Sequence, residues 1–277
     1  MQKIWVCGAR GQIGQAVNDV VDKLEFEMLE TDVDDLDVTD TDEVLRFGEM
    51  NRPDIIINCS GMTDISSCEE NPSQAFKVNA LGARNLAIVA AKMQAKMVQL
   101  STDDVFDGKS TEPYTEFDIT NPGTVYGKSK LAGENYVKEF TTKHFIVRST
   151  WVYGKGQNFI NGFLKKVDAG EQLSIASDQF GSPTSANELA RFLLHLVHTS
   201  EYGTYHATNK GVCSRYAFAQ EILKMTGKTA SMQPVPTVMS DFSKVRPAYA
   251  VLDNFIMSMV PIYDFPDWQD SLREYLE

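Results

Sequence analysis

The sequence is poor in cysteine: Cys7, Cys59, Cys68 and Cys213 are the only four in 277 residues, with no CxxC pair and no zinc-ligand spacing. Neither a disulfide framework nor a structural zinc is expected. Cys7 and Cys59 each close an apolar stretch, where a reduced thiol acts as a small hydrophobe. Long apolar runs are absent too, and none approaches the roughly 18 residues that span a bilayer. The chain starts directly into a strand-like segment, without the basic and then apolar regions of a secretory signal, so a cytoplasmic protein with no membrane partner is expected. Positive charge is scarce: 26 Lys and Arg face 38 Asp and Glu, a formal net charge of −12. That sign argues against nucleic acid or an anionic membrane as the main partner. It leaves room for an anionic small ligand held by backbone N–H groups and a few local cations.

What is present is an ordinary globular balance, 43% hydrophobic and 23% charged residues, enough for one large α/β domain or one domain with an appendage. Strands and helices alternate in the first half. Strand-like segments run over Lys3–Cys7, Glu25–Thr31, Asp54–Cys59, Lys96–Leu100 and Phe145–Arg148. Helical patterns cover Gln12 to about Lys23, Thr41–Asn51 and the long stretch Pro72–Gln94. The segment DIIINC is apolar without alternation, as a strand covered on both faces should be. The expected fold is therefore α/β, a Rossmann-type doubly wound parallel sheet. Beyond about Trp151 the pattern loosens into helices at Asn158–Ala169, Ala186–Thr199 and Ser214–Thr226, with a short strand near Thr204–Ala207. This predicts a nucleotide-binding domain over 1–150, rejoined by some later segments, and a smaller α/β substrate lobe over 151–277. Asp264 to Glu277 reads as a solvated helix and tail.

Gly8, Gly11 and Gly14 form GARGQIG between the first strand and the first helix. Such a turn lets backbone N–H groups approach a pyrophosphate at a helix N-terminus, so NADH or NADPH is the expected cofactor. Arg10, Gln12 and Ile13 share that turn, and Cys59, Ser60 and Gly61 at the end of the third strand are further candidate contacts. Asp32, just past the second strand, suits the adenosine ribose and disfavours a 2′-phosphate, whereas Arg10 suits that phosphate. The choice between the two cofactors stays open here.

Tyr126 and Lys130 form the one YxxxK in the sequence and share a helix face at i,i+4. Hydride delivery to a ketone needs a proton donor at the carbonyl oxygen, and a nearby ammonium lowers the pKa of a phenol. Lys130 also suits the nicotinamide ribose, and the Thr102 hydroxyl suits the carbonyl oxygen. An oxidoreductase follows, with Thr102, Tyr126 and Lys130 as candidate catalytic residues. His195 and His198 lie three apart on one helix without an evident third ligand, and no metal is expected there.

In their order, GARGQIG, STDDVFDG, TVYGKSKLAGE, RSTWVYG and DQFGSPT closely resemble the dTDP-4-dehydrorhamnose reductase family of the extended short-chain dehydrogenase/reductases. The resemblance runs from Lys3 to about Asp253, with Arg246-Pro247-Ala248 and Val251-Leu252-Asp253 matching a late family segment. It implies reduction of the C4 ketone of dTDP-6-deoxy-L-lyxo-4-hexulose to dTDP-L-rhamnose, a step toward polysaccharide. It also implies that Trp151 lines the substrate, and that Asn158, Gln179 and Arg246 belong to segments around the sugar nucleotide. A nucleotide sugar is thus the expected partner, with a homodimer allowed.

Two departures fall on the substrate side. Asp104 stands where the family has tyrosine, and Asp64-Ile65-Ser66-Ser67 stands where it commonly reads Ala-Val-Asp-Lys. Ala16 replaces a glutamate through which some members hold a metal, so none is expected. Two alternatives remain. Thr102-Asp103-Asp104 is close to the Thr-Asp-Glu of nucleotide-sugar 4,6-dehydratases and related epimerases, and a regulatory subunit of methionine adenosyltransferase keeps a similar cofactor site without catalysis.

Overall fold

The computed structural model describes residues 1–239 and 247–277; Arg246 lies outside them. Five strands, β1 (Gln2–Cys7), β2 (Phe26–Thr31), β3 (Ile55–Asn58), β4 (Lys96–Thr102) and β5 (His144–Ser149), form one parallel sheet with the strand Gly203–His206. Across the sheet the order is Gly203–His206, β5, β4, β3, β1, β2. Successive chain connections run in opposite directions from β1, so the switch point where ligands of such sheets bind lies between β1 and β3.

Period-two alternation puts β1 in two cores at once. Ile4 and Val6 pack on one face with α1 (Gln12–Val20) and α8 (Ala186–His198), while Trp5 and Cys7 pack on the other. That second face carries α2 (Thr41–Asn51) and α5 (Ala83–Met93). Because both faces are covered, β3 is buried at every position, which is why DIIINC lacks alternation.

The stretch expected as one helix over Pro72–Gln94 is α4 (Pro72–Phe76), a π turn (Lys77–Gly82) and α5. A short α3 (Ile65–Glu70) precedes it, capped by Asp64, whose carboxylate accepts the Ser67 N–H at 2.8 Å. That cap is the local use of one departure from the family pattern.

The chain after Trp151 does not stay in one place. The helices α7 (Phe159–Asp168) and α9 (Arg215–Thr226) and the strand pair Leu173–Ala176 with Met232–Val235 build a second core around Phe163, Phe218 and Leu173. The helix α8 and the strand Gly203–His206 return to the main sheet. The C-terminal helix Trp268–Leu276 is not simply solvated: Trp268 and Leu272 are buried in the second core. Apolar residues at i and i+4 among many charges give it one inward face. No helix among the described residues is long and apolar enough to cross a membrane.

Candidate active site

A cavity of about 640 Å³ opens at the carboxyl edge of the sheet, between the glycine turn, the ends of β3 and β4, the start of α6 (Val125–Phe140) and the second core. Gly8 has φ +76°, a left-handed backbone that disfavours a side chain, and a Cβ there would lie 2.7 Å from the Ser60 nitrogen. At Gly14 a Cβ would lie 2.4 Å from the Gly8 carbonyl oxygen, so this glycine seats the helix against the turn and is not part of the lining. The N-cap Gly11 supplies no side-chain cap, and the first turn of α1 carries no acid. The helix end is thus left to an anion approaching Gly11, Gln12 and Ile13, which line the cavity.

Buried polar atoms fit a ligand at the same place. Ser149 Oγ, Tyr153 OH and Gln12 Oε1 have no hydrogen-bond partner among the described residues, and all three residues line the cavity. Buried polar groups normally find a partner, and a dinucleotide or a sugar would supply one.

Thr102, Tyr126 and Lys130, expected to act together, share this lining. Thr102 ends β4, and its Oγ1 accepts the Asp104 N–H at 3.2 Å while donating to Asp103 at 3.0 Å. Tyr126 and Lys130 sit in the first two turns of α6, whose N-cap Thr124 accepts the Gly127 N–H at 3.0 Å. Lys130 is only 5% exposed. Burial lowers its pKa to about 8, with the charge of Glu134 pulling the other way. Its Nζ lies 3.7 Å from where a Gly61 Cβ would stand, which joins α6 to the segment Cys59–Gly61. Burial also pushes the Cys59 thiol up to about 12, so it stays protonated at neutral pH.

Below these groups lies an ion pair that sequence reading missed. Glu134 accepts from Arg148 Nε at 2.9 Å, from Arg148 Nη2 at 2.7 Å and from Ser101 Oγ at 2.6 Å. All but Ser101 are buried. Asn79 was missed as well. From the π turn it donates to Met62 O and Ser129 Oγ, both at 2.9 Å, and accepts the Met62 N–H at 2.8 Å. It thereby ties the loop after β3 to α6.

On the facing side, Trp151 lines the cavity at φ +47°. A non-glycine residue there stores backbone strain of the sort that clusters at functional sites. Its ring carries the Arg215 guanidinium, 3.5 Å from the ring centroid, and Phe159 flanks the same group at 4.9 Å. Arg215 is 7% exposed and lines the cavity. No motif announced it, since it is simply the first residue of α9.

The remaining expected substrate residues divide. Asn158 lines the cavity, yet its side chain caps α7 through the Asn161 N–H at 3.0 Å and donates to Tyr275 OH at 3.1 Å. Gln179 is 1% exposed and outside the lining, and its carbonyl accepts the Arg215 N–H at 3.0 Å. Asp104 is also 1% exposed and outside the lining, folded under α6 by the short 3-10 turn Asp103–Val105. Among the described residues, the carboxylate-bearing one that does reach the lining is Asp103. Arg10 lines the cavity at the glycine turn, while Gly8 and Asp32 line a neighbouring one that shares Gly11, Cys59, Ser60 and Gly61.

Reducing a ketone calls for a dinucleotide seat with a proton donor beside it, and this cavity is lined by residues suited to both. The protein is an NAD(P)-dependent oxidoreductase of the Rossmann type. A family profile described as the RmlD substrate binding domain matches residues 1–277, and the chain belongs to that family. It is 34% identical over 278 residues to the spore coat polysaccharide biosynthesis protein SpsK of Bacillus subtilis (strain 168), covering 100% of this chain and 98% of that one. The crystal structure of a dTDP-4-dehydrorhamnose reductase from Clostridium acetobutylicum superposes with a TM-score of 0.96 at 40% identity, over 99% of this chain and 98% of that one. The Bacillus anthracis dTDP-4-dehydrorhamnose reductase, solved in complex with NADP, gives 0.95 at 35% identity, over 100% and 98%.

Proposed function

We propose that the protein reduces the C4 ketone of a dTDP-linked 6-deoxy-4-keto sugar, namely dTDP-6-deoxy-L-lyxo-4-hexulose to dTDP-L-rhamnose. The observation that carries this reading is the meeting of Thr102, Tyr126 and Lys130 in one cavity with the glycine turn and with Trp151. The reduced nicotinamide, when bound, supplies the hydride. Everything else falls to the chain. The Tyr126 phenol, at the start of α6, gives its proton to the ketone oxygen. Buried Lys130 favours the phenolate left behind and holds ribose hydroxyls. The Thr102 hydroxyl, fixed by the turn it caps, orients the carbonyl. Arg215, stacked on Trp151, offers a preorganised guanidinium to the sugar nucleotide's diphosphate, and the Trp151 ring holds that guanidinium in place from beneath.

The dehydratase alternative asks for two acids after Thr102. Asp103 lines the cavity but Asp104 is outside the lining, which weighs against it. The test is the fall in reduced-nicotinamide absorbance when the purified protein meets NADH or NADPH and the keto sugar made in situ. Substrate-dependent oxidation supports the reading. Cofactor binding without oxidation would move the assignment to another keto sugar or to a non-catalytic role.

A further inference from the structure

Beside the catalytic cavity, sharing its glycine turn, lies a second one of about 410 Å³ bounded by the end of β2 and the loop after it. Apolar residues such as Leu36, Val38 and Val78 line it, as suits a flat base, and its charged lining residues are Asp32 and Asp37. Among the described residues no lysine or arginine is part of that lining.

The Asp32 carboxylate is fixed by two backbone donors. Oδ2 accepts the Arg10 N–H and Oδ1 the Val33 N–H, each at 2.8 Å. A carboxylate has about four acceptor sites, so capacity is left for a vicinal pair of ribose hydroxyls. Arg10, the cation of the glycine turn, is drawn the other way. Its guanidinium pairs with Asp34 at 2.7 Å and with Asp35 at 2.8 Å. Asp35 in turn accepts the Asp32 N–H at 3.0 Å, so the loop 32–35 closes around the arginine.

We propose that this rim selects NADH over NADPH: Asp32 takes the adenosine ribose hydroxyls, and Asp34 and Asp35 withhold Arg10 from a 2′-phosphate. The proposal rests on the reading of these cavities as the dinucleotide seat. A 2′-phosphate brings close to two negative charges toward Asp32 and Asp37, with the nearest cation of the turn already neutralised. The two Arg10 pairs are solvent-exposed and hold it only modestly. Most of the selection therefore falls on Asp32, and a smaller part on the pair that restrains Arg10.

The test is binding of NADH and of NADPH to the whole protein without sugar, by calorimetry at low and at physiological salt. NADH should bind at least about tenfold tighter at low salt, with a narrower gap at higher salt as exposed charges are screened. Asp32→Asn should bring NADPH to within about threefold of NADH. The double variant Asp34→Asn/Asp35→Asn should tighten NADPH about two- to fivefold and leave NADH nearly unchanged. NADPH binding as tightly as NADH to the unaltered protein would overturn the selection while leaving the oxidoreductase reading intact. Binding of neither would overturn both. A double variant that weakens NADPH would show that Arg10 is not the restrained partner.

Discussion

Glu134 and Arg148 form a buried pair beside the residues proposed as catalytic, and removing one partner tests how the site is held. Glu134 is fully buried and Arg148 is 3% exposed, with two hydrogen bonds of 2.9 and 2.7 Å between them. Glu134→Ala would leave a buried guanidinium facing, among the described residues, His206 Nε2 at 3.5 Å and the Phe106 ring at 5.3 Å. His206 offers no charge, because burial and the neighbouring Arg148 lower its pKa to about 3. Breaking a buried pair in this way costs about 3–5 kcal/mol. Unfolding entropy of about 2.1 cal/mol/K per residue over 277 residues gives about 0.6 kcal/mol/K, so the midpoint should fall by roughly 5–9 °C. Thermal melts at pH 7 read this directly. The Arg148 guanidinium and the Ser101 hydroxyl hold the Glu134 carboxyl below the usual carboxylate range, against the effect of burial. A depressed folded pKa contributes stability above the unfolded value of about 4.3, and that stability is lost as pH falls through the folded one. The gap between wild type and variant should therefore close in acid. A drop of less than about 2 °C at pH 7, or a gap that widens below pH 4, would refute the reasoning.

Three further outcomes follow from the site. With Lys130 brought down to about 8 by burial, kcat/KM for the keto sugar should fall on the alkaline side through that pH as the ammonium is lost; a profile flat to pH 10 would contradict it. Arg215→Ala should raise KM about tenfold or more with a smaller change in kcat, Arg215→Lys recovering only part because a point charge replaces a stacked fork; steady-state kinetics separates the two parameters. Gly181→Ala would place a Cβ 2.6 Å from the Trp151 ring, so it should shift that ring and raise KM while NADH binding, measured separately, stays unchanged.

Much of this was legible in the residues. The β1–turn–α1 unit, the unalternating isoleucines of β3 and the YxxxK helix each carry a local signal, and each is where the spacing put it. What was missed depends on tertiary partners. Arg215 is an ordinary arginine until α9 brings it onto Trp151, and Asn79 acts only because a π turn re-aims it toward Met62 and Ser129. Some later segments were expected to rejoin the first domain, but that these are α8 and Gly203–His206 has no local signature, since an amphipathic helix does not say which sheet it will cover. Asp104 shows the reverse error. Its place in the family pattern, where tyrosine is usual, suggested the substrate side, but the 3-10 turn carries it under α6 and leaves Asp103 at the lining.

The most direct test of the central claim follows the hydrogen itself. The protein is given the 4-keto sugar nucleotide with a nicotinamide cofactor deuterated at the transferable position, and the sugar product is examined by mass spectrometry and proton NMR. Ketone reduction predicts one deuterium, at C4, in a product two hydrogens richer than the substrate, with Tyr126→Phe slowing its appearance about 10²–10⁴-fold. An unlabelled product, or one that has lost water, would contradict the account.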